Sequence, residues 1–447
     1  MRVAAAAILF GLLLALAGCE KQPSSAATTA TRSADGGADL LRQQAEKLFA
    51  CLKSPNSETI THLFCDTFRK NIPPHELQRT LEGYIRSLGP PQRVRFQQVL
   101  APFSAELEFE FPNSRLAATM HLEIVPPHRI SGLFFKPVVA DNDSLASLLE
   151  GIKGLPGKKG LLLKRLDPKA ETLLELNADI PFAIGSSFKL FLLAALAEDI
   201  VKGKRQWQEV VHLRSDCISL PSGMLQDWPI ESPLTLHSLA TIMLTRSDNT
   251  AADHLLQTLG RERVEAGLAE WGMAAAALNK PFLATNELFK LKLILPPETL
   301  QAYAAADEAG KRKLLADLVA KTPLREPRLL MQPLMIEQVE WFASPADQVR
   351  LLDRLRQPAW EQARLLLGIL PPFGMDDTQW SYAGYKGGAE CGVINFTLLL
   401  QSRRGPWYAI ALTWNDPQTD VDAPRLLGLL ERLVRTLQRR EQAESTK

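Results

Sequence analysis

Ser186-Ser187-Phe188-Lys189-Leu190-Phe191-Leu192-Leu193-Ala194-Ala195-Leu196 is the stretch around which the rest of this 447-residue chain is read. Its apolar residues fall on every face instead of one stripe, the pattern of a helix buried at a domain centre. Ser186 and Lys189 stand three apart at the start of that helix, so one turn brings hydroxyl and amine to the same face. The helix N-terminus also turns free N–H groups toward any negative charge that develops there. A serine hydroxyl is a weak nucleophile until a base takes its proton. A lysine serves as that base when desolvation or a neighbouring cation lowers its pKa. A Ser-x-x-Lys on a buried helix therefore reads as nucleophile and base.

Two further motifs follow in order. Ser247-Asp248-Asn249 closes an apolar segment, and Lys386-Gly387-Gly388-Ala389 enters a strand-like one. Brought together with the first motif, Lys386 would supply a cation for Lys189, Ser247 would relay the proton toward a leaving group, and Asn249 would fix Lys189 or a substrate amide. The backbone N–H groups of Ser186 and Ala389, with Gly388 beside them, form the expected oxyanion hole. Taken singly the motifs are weak. A Ser-x-x-Lys arises about once or twice by chance in a chain of this length, a Ser-Asp-Asn is often an N-cap, and a Lys-Gly-Gly is often a turn. Their order, spacing and setting carry the reading.

Read as S-x-x-K, S-D-N and a variant of K-T-G, the trio resembles the motifs of β-lactamases and penicillin-binding proteins. Thr250-Ala251-Ala252-Asp253 continues the second motif as serine β-lactamases do. The resemblance, to class A-type serine hydrolases, covers about Asp143 to Gln438. It implies an antiparallel sheet flanked by helices, an acyl-enzyme on Ser186, and a small-molecule or peptidoglycan-related substrate holding an ester, amide or lactam. It implies no cofactor.

Two departures qualify it. Class A enzymes carry a deacylating glutamate in an E-x-x-L-N segment, whereas the stretch after Trp271-Gly272 reads Met-Ala-Ala-Ala-Ala-Leu-Asn-Lys-Pro-Phe-Leu-Ala without a carboxylate. Glu287 follows as N-terminal charge on a helix. Gly387 stands where the family has a Thr or Ser that helps hold a substrate carboxylate, so carboxylate recognition is expected to be weaker. A Leu- and Ala-rich helical insertion between Leu291 and about Ile336 either reshapes the cleft or packs peripherally.

Working outward, Met1-Arg2 and the apolar run Val3 to Leu16 form a secretory leader too short for a comfortable membrane span. Leu16-Ala17-Gly18-Cys19 looks like a bacterial lipobox, with Cys19 lipidated. Glu20 in place of Asp resembles Gram-negative outer-membrane sorting. These features predict a leader at 1–18, a flexible Ser/Thr/Ala/Gly tether at 19–38, and an envelope protein lipid-anchored to the outer membrane, facing the periplasm.

Between residues 39 and 140, helical periodicity gives way after Pro90-Pro91 to period two. Ala105-Glu106-Leu107-Glu108-Phe109-Glu110-Phe111 alternates strictly. Helices followed by a curved antiparallel sheet predict a small α+β domain similar to the cystatin-like or steroid-isomerase-like cone fold, a binding or spacer module. The rest, 141–447, is the hydrolase domain, so the fold class is α+β throughout. Together the two resemble a narrower group that pairs a steroid-isomerase-like domain with a β-lactamase-like one, as in the accessory hydrolase of clavulanate biosynthesis. Pro127-His128-Arg129-Ile130-Ser131-Gly132-Leu133 and Pro281-Phe282-Leu283-Ala284-Thr285-Asn286-Glu287-Leu288 carry that likeness.

Export permits disulfides. Cys51 with Cys65 is the natural local pair, and Cys217 with Cys391 either braces the catalytic strand or stays as two free thiols. Cysteines and histidines lack ligand spacing, so no metal site is expected. A net charge of +1 offers no electrostatic case for nucleic acid. Oligomeric state is left open. The competing readings are a conventional class A-type β-lactamase, a D,D-peptidase or penicillin-binding protein, and, from another class, a non-catalytic envelope-binding scaffold.

Overall fold

Along residues 104–111 every second side chain, Ala105, Leu107, Phe109 and Phe111, is buried, and the glutamates between them are half-buried. Period two in the sequence thus becomes one face of a sheet. The structure, a computed structural model, describes residues 34–112, 114–136, 138–140, 143–325, 332–370 and 380–444. The leader, Cys19 and most of the tether lie outside the described residues. Among those described, the chain divides into two compact units, one ending at Leu148 and also taking in Pro424 onward, the other Leu149–Ala423.

The first unit opens with helices α1 (Ala34–Lys53), α2 (Ser57–Leu63), α3 (Asp66–Asn71) and α4 (Pro74–Leu88). Asn56 caps α2 by accepting the Thr59 N–H at 2.8 Å. Pro73-Pro74 starts α4, where the missing N–H costs nothing. An antiparallel sheet follows in the order β1 (Arg93–Ala101), β2 (Ser104–Phe111), β3 (Ser114–Leu122), β4 (Ile130–Phe135), with β5 (Val139–Ala140) paired to β3. Leu41, Leu48, Leu52 and Leu81 of the helices, and Phe64 just after α2, share a core with Leu107, Phe109, Leu116 and Met120 of the sheet.

The helix α5 (Leu145–Lys153) spans the boundary, and the second unit continues with β6 (Lys158–Arg165), β7 (Glu171–Leu176) and the short β8 (Phe182–Ala183). After a 3₁₀ turn at Gly185–Phe188 comes α6 (Lys189–Val201), buried from Lys189 to Asp199. A ribbon of β9 (Val210–His212) and β10 (Pro233–Thr235) precedes α7 (Leu236–Thr245), α8 (Asn249–Leu259), α9 (Arg261–Glu270) and α10 (Thr285–Phe289). The insertion holds a π-turn at Lys290–Ile294, α11 (Pro297–Ala305), α12 (Glu308–Leu314) and a second π-turn at Leu315–Val319. Its Leu300, Tyr303, Leu315 and Val319 join the same core as α6, so at least this part of it is integral packing.

The chain then runs through β11 (Phe342–Ala343), α13 (Pro345–Leu355), α14 (Glu361–Leu367), β12 (Trp380–Glu390), β13 (Val393–Ser402) and β14 (Trp407–Asn415). The sheet is antiparallel in the order β12-β13-β14-β6-β7, which puts β12 at an edge. The last helix, α15 (Ala423–Glu444), groups with the first unit from Pro424 onward. There Arg432 forks onto the Asp143 carboxylate at 2.5 and 2.9 Å.

Neither cysteine pairing is formed: Cys51, Cys65, Cys217 and Cys391 are all free thiols. Cys65 is committed instead to capping α3, its sulfur accepting the Phe68 N–H. Burial pushes the Cys51 thiol up to about 11 and that of Cys217 to about 12, which keeps both protonated and unreactive.

Candidate active site

Ser186 sits in the 3₁₀ turn between β8 and α6, half-buried, with Gly185, Ser187, Phe188 and Lys189 buried around it. Two glycines make this turn fit against the edge strand. Gly185 adopts φ +48°, and a Cβ there would press on the Ala389 N at 3.0 Å. At Gly388 a Cβ would collide with the Ile184 carbonyl and come within 2.7 Å of the Ser186 and Ser187 nitrogens. The Ser186 turn and β12 are therefore in backbone contact, and the N–H groups of Ser186 and Ala389 belong to adjoining segments.

Lys189 is fully buried. Its Nζ lies 3.1 Å from Ser186 Oγ, 3.2 Å from Ser247 Oγ, 2.5 Å from the Ser247 carbonyl oxygen and 2.7 Å from Asn249 Oδ1. The Asn249 amide is oriented by its other end, where Nδ2 donates to the Leu220 carbonyl at 2.9 Å. Burial, and next the Lys386 cation, drive the Lys189 pKa well below the ordinary lysine range, against weaker opposing pulls from Asp248 and Asp253. A neutral amine has two N–H donors and one lone pair. The Ser247 carbonyl and Asn249 Oδ1 can only accept, so they take the two donors and leave the lone pair facing the Ser186 and Ser247 hydroxyls.

Ser247 holds φ +50°, the left-handed region that a non-glycine residue adopts at a cost of roughly 1–3 kcal/mol. Its carbonyl is held there by Lys189 and by Ser222 Oγ at 2.8 Å. Asp248 secures the same loop, capping α8 through the Ala251 N–H while its second oxygen accepts from Met224 and Leu225. Gly223 at φ +127° allows this approach, since a Cβ there would run into the Asp248 carboxylate.

Lys386, also buried, reaches Ser247 Oγ at 3.1 Å and the Gly387 carbonyl at 2.6 Å; desolvation brings its pKa down to about 7. Thr397 on β13 donates to the Lys386 carbonyl at 2.7 Å and fixes the strand locally. Ser247 Oγ thus stands between two amines, placed to pass a proton. The space above Gly387 is taken by Tyr385: a Cβ at 387 would strike the Tyr385 hydroxyl. The glycine and the tyrosine are one packing solution.

The stretch 273–284 that lacks a carboxylate folds into a short 3₁₀ turn at Ala276–Asn279, and Asn279 is spent on Ala275 and Phe342 backbone groups. Glu287 begins α10 as expected, its carboxylate shared between Arg261 (2.7 and 3.0 Å) and the Ala284 N–H (2.8 Å).

Several supports were not visible in the sequence. Trp341 stacks on Phe188 at 3.9 Å and donates its indole N–H to the Leu283 carbonyl. Asp253 accepts the Thr285 N–H, the Asn286 N–H and the Thr285 hydroxyl. These are contacts between segments far apart in the chain, and local periodicity holds no trace of them.

The β-lactamase enzyme family matches residues 143–371, just over half of the 447. The chain belongs to the β-lactamase enzyme family. As a family member it is a serine hydrolase of that superfamily, and it carries an N-terminal region ahead of the matched residues. The matched residues stop short of β12, so Lys386 enters through the structure and not through the family match.

Among solved structures it is similar to a β-lactamase from Chitinophaga pinensis DSM 2588 (16% identity, 67% of this chain, 100% of that one, TM-score 0.47). One from Sphaerobacter thermophilus DSM 20745 is 18% identical over 65% of this chain and 95% of its own, with a TM-score of 0.45. A PBP-A mutant captured as an acyl-enzyme complex with penicillin G is 18% identical over 65% and 93%, with a TM-score of 0.43. No curated protein matches the chain.

Proposed function

We propose that this β-lactamase-family protein is an envelope serine hydrolase that forms an acyl-enzyme on Ser186 from an ester, amide or lactam substrate. The observation that carries the reading is the buried Lys189 amine, 3.1 Å from Ser186 Oγ with its donors spent on pure acceptors. In acylation the Lys189 lone pair takes the Ser186 proton as Oγ bonds to the carbonyl carbon. Negative charge that develops on the carbonyl oxygen is met by the N–H groups of Ser186 and Ala389. The proton then passes through Ser247 Oγ to the departing nitrogen or oxygen as its bond to carbon breaks.

Deacylation needs a second base for water. No carboxylate lies in residues 273–284, and Glu287 is engaged by Arg261 and by the end of its own helix. The acyl-enzyme is therefore long-lived toward β-lactams, closer to penicillin-binding behaviour than to rapid turnover. In this reading Cys19 anchors the protein by lipid to the outer membrane, and the N-terminal unit is a cystatin- or steroid-isomerase-like binding or spacer module. That pairing resembles the accessory hydrolase group of clavulanate biosynthesis.

Intact-mass measurement after incubation with a penicillin and, separately, a fluorophosphonate tests the proposal. One adduct per chain is expected, lost in Ser186→Ala and persisting with penicillin after free drug is removed. Absence of any adduct with either probe would overturn it in favour of a non-catalytic scaffold, and rapid loss of the penicillin adduct with turnover would restore the conventional β-lactamase reading.

A further inference from the structure

Lys292, Glu340 and Glu390 converge from three separate segments of the second unit. Lys292 lies in the π-turn after α10, Glu340 just before β11, and Glu390 at the end of β12. Their side chains are 3%, 0% and 26% exposed. Lys292 Nζ bonds to Glu340 Oε1 and, at 2.7 Å, to Glu390 Oε1. The other Glu340 oxygen, Oε2, is buried and meets no donor among the described residues. An ionised oxygen in that position would lose its hydration without replacement. A protonated one becomes a donor, and the facing acceptor is the Glu390 carboxylate.

Burial first, and Glu390 next, hold Glu340 well above the usual carboxylate range, with Lys292 pulling the other way. With its proton the trio is one ammonium and one carboxylate, electrically neutral. Without it, a net negative charge is buried. Among the described residues, the other titratable groups acting here are Cys391, whose thiol burial pushes up to about 11, and Asp420, which faces it.

The trio adjoins both candidate oxyanion donors. Glu390 follows Ala389 directly. Glu340 precedes Trp341, whose carbonyl takes the Ile184 N–H at 3.0 Å and whose ring stacks on Phe188, so it grips the Ser186 turn from both sides. We propose that Lys292, Glu340 and Glu390 form a clamp that sets the spacing of the Ser186 and Ala389 N–H groups, with a protonated Glu340 as its positioning residue. The functional consequence rests on the acyl-enzyme reading; the protonation of Glu340 does not.

The experiment uses the full chain and its Glu340→Gln and Lys292→Met variants. Infrared difference spectra report protonated carboxyl, melting is followed against pH, and fluorophosphonate gives the acylation rate. The wild type is expected to show a protonated-carboxyl band at neutral pH that Glu340→Gln lacks. Glu340→Gln, which keeps a donor in place, should label at a near-wild-type rate at neutral pH and stay faster than wild type as pH rises.

Lys292→Met should label about ten- to hundredfold more slowly, the scale of a small misplacement at a reacting centre. An acid raised in the folded state loses stability as pH climbs from its unfolded to its folded pKa. The wild-type Tm should therefore fall relative to Glu340→Gln across that window. An unchanged carboxyl band together with superimposable pH profiles would overturn the clamp, even if Lys292→Met fails to fold. Failure of the wild type to label at any pH would overturn the acylation reading instead, while the band and the melting curves still judge Glu340.

Discussion

Lys189 Nζ lies 3.1 Å from Ser186 Oγ and directs its N–H groups at the Ser247 carbonyl and Asn249 Oδ1, neither of which can give a proton back. The lone pair then faces the hydroxyls of Ser186 and Ser247, with Ser186 the nearer at 3.1 Å against 3.2 Å. Lys189→Met should therefore lower the fluorophosphonate labelling rate by about 10²–10⁴-fold, the usual worth of a positioned base, with circular dichroism unchanged. Labelling at the wild-type rate would remove Lys189 from the mechanism.

Lys386 is the second-largest cause of the lowered Lys189 pKa, after burial. In Lys386→Gln that repulsion is gone and Lys189 keeps its proton to higher pH, so the acid limb of the labelling rate should move upward. The stability effect has its own sign. A lysine at about 7 in the folded state lies below its unfolded value, so its burial penalty is present below the folded pKa and disappears as pH rises to the unfolded one. The wild type should gain Tm relative to Lys386→Gln between those limits, as read by melting curves across pH.

Gly387→Thr places a Cβ against the Tyr385 hydroxyl. Overpacking of this kind costs about 1–3 kcal/mol. The test is a double-mutant cycle in denaturant with Tyr385→Phe: the pair Gly387→Thr/Tyr385→Phe should recover much of the loss. A purely additive cycle would show that the two positions do not compete for space.

Asp253 accepts three donors from Thr285 and Asn286, and burial still pushes its carboxyl up to about 7. Asp253→Asn has one accepting oxygen in place of two and adds donors where donors already converge. A loss of about 1–3 kcal/mol is expected, the cost of leaving a buried partner unmade, together with slower labelling because α8 carries Asn249 at its start. Equilibrium unfolding and labelling rates of the variant check both.

Much of this architecture is local enough to read from residue order. Period two at 105–111 appears as alternating burial in β2, the all-round apolar pattern after Ser186 as the buried α6, and Glu287 as the first-turn charge of α10. The apolar spacing of Leu426, Leu430, Leu433 and Leu437 encodes α15 as a helix with one buried face, but not its grouping with the N-terminal unit. Periodicity says which face is buried and is silent on what buries it. The cysteines illustrate the same limit: nearness in sequence favours pairing Cys51 with Cys65 and leaves Cys217 and Cys391 open, whereas the four described cysteines are all free thiols.

By itself the sequence determined the types and order of the reactive groups: a serine and a lysine one helical turn apart, a Ser-Asp-Asn loop, and a lysine entering a glycine-rich strand. These depend on short-range geometry, which residue spacing encodes. Tertiary structure alone decided that the Lys189 amine is shut away from water between Ser247 and Asn249, that Tyr385 fills the room over Gly387, and that Lys292, Glu340 and Glu390 meet at the end of the edge strand. Protonation state and packing follow from burial and from neighbours distant in the chain, and those exist only once the chain has folded.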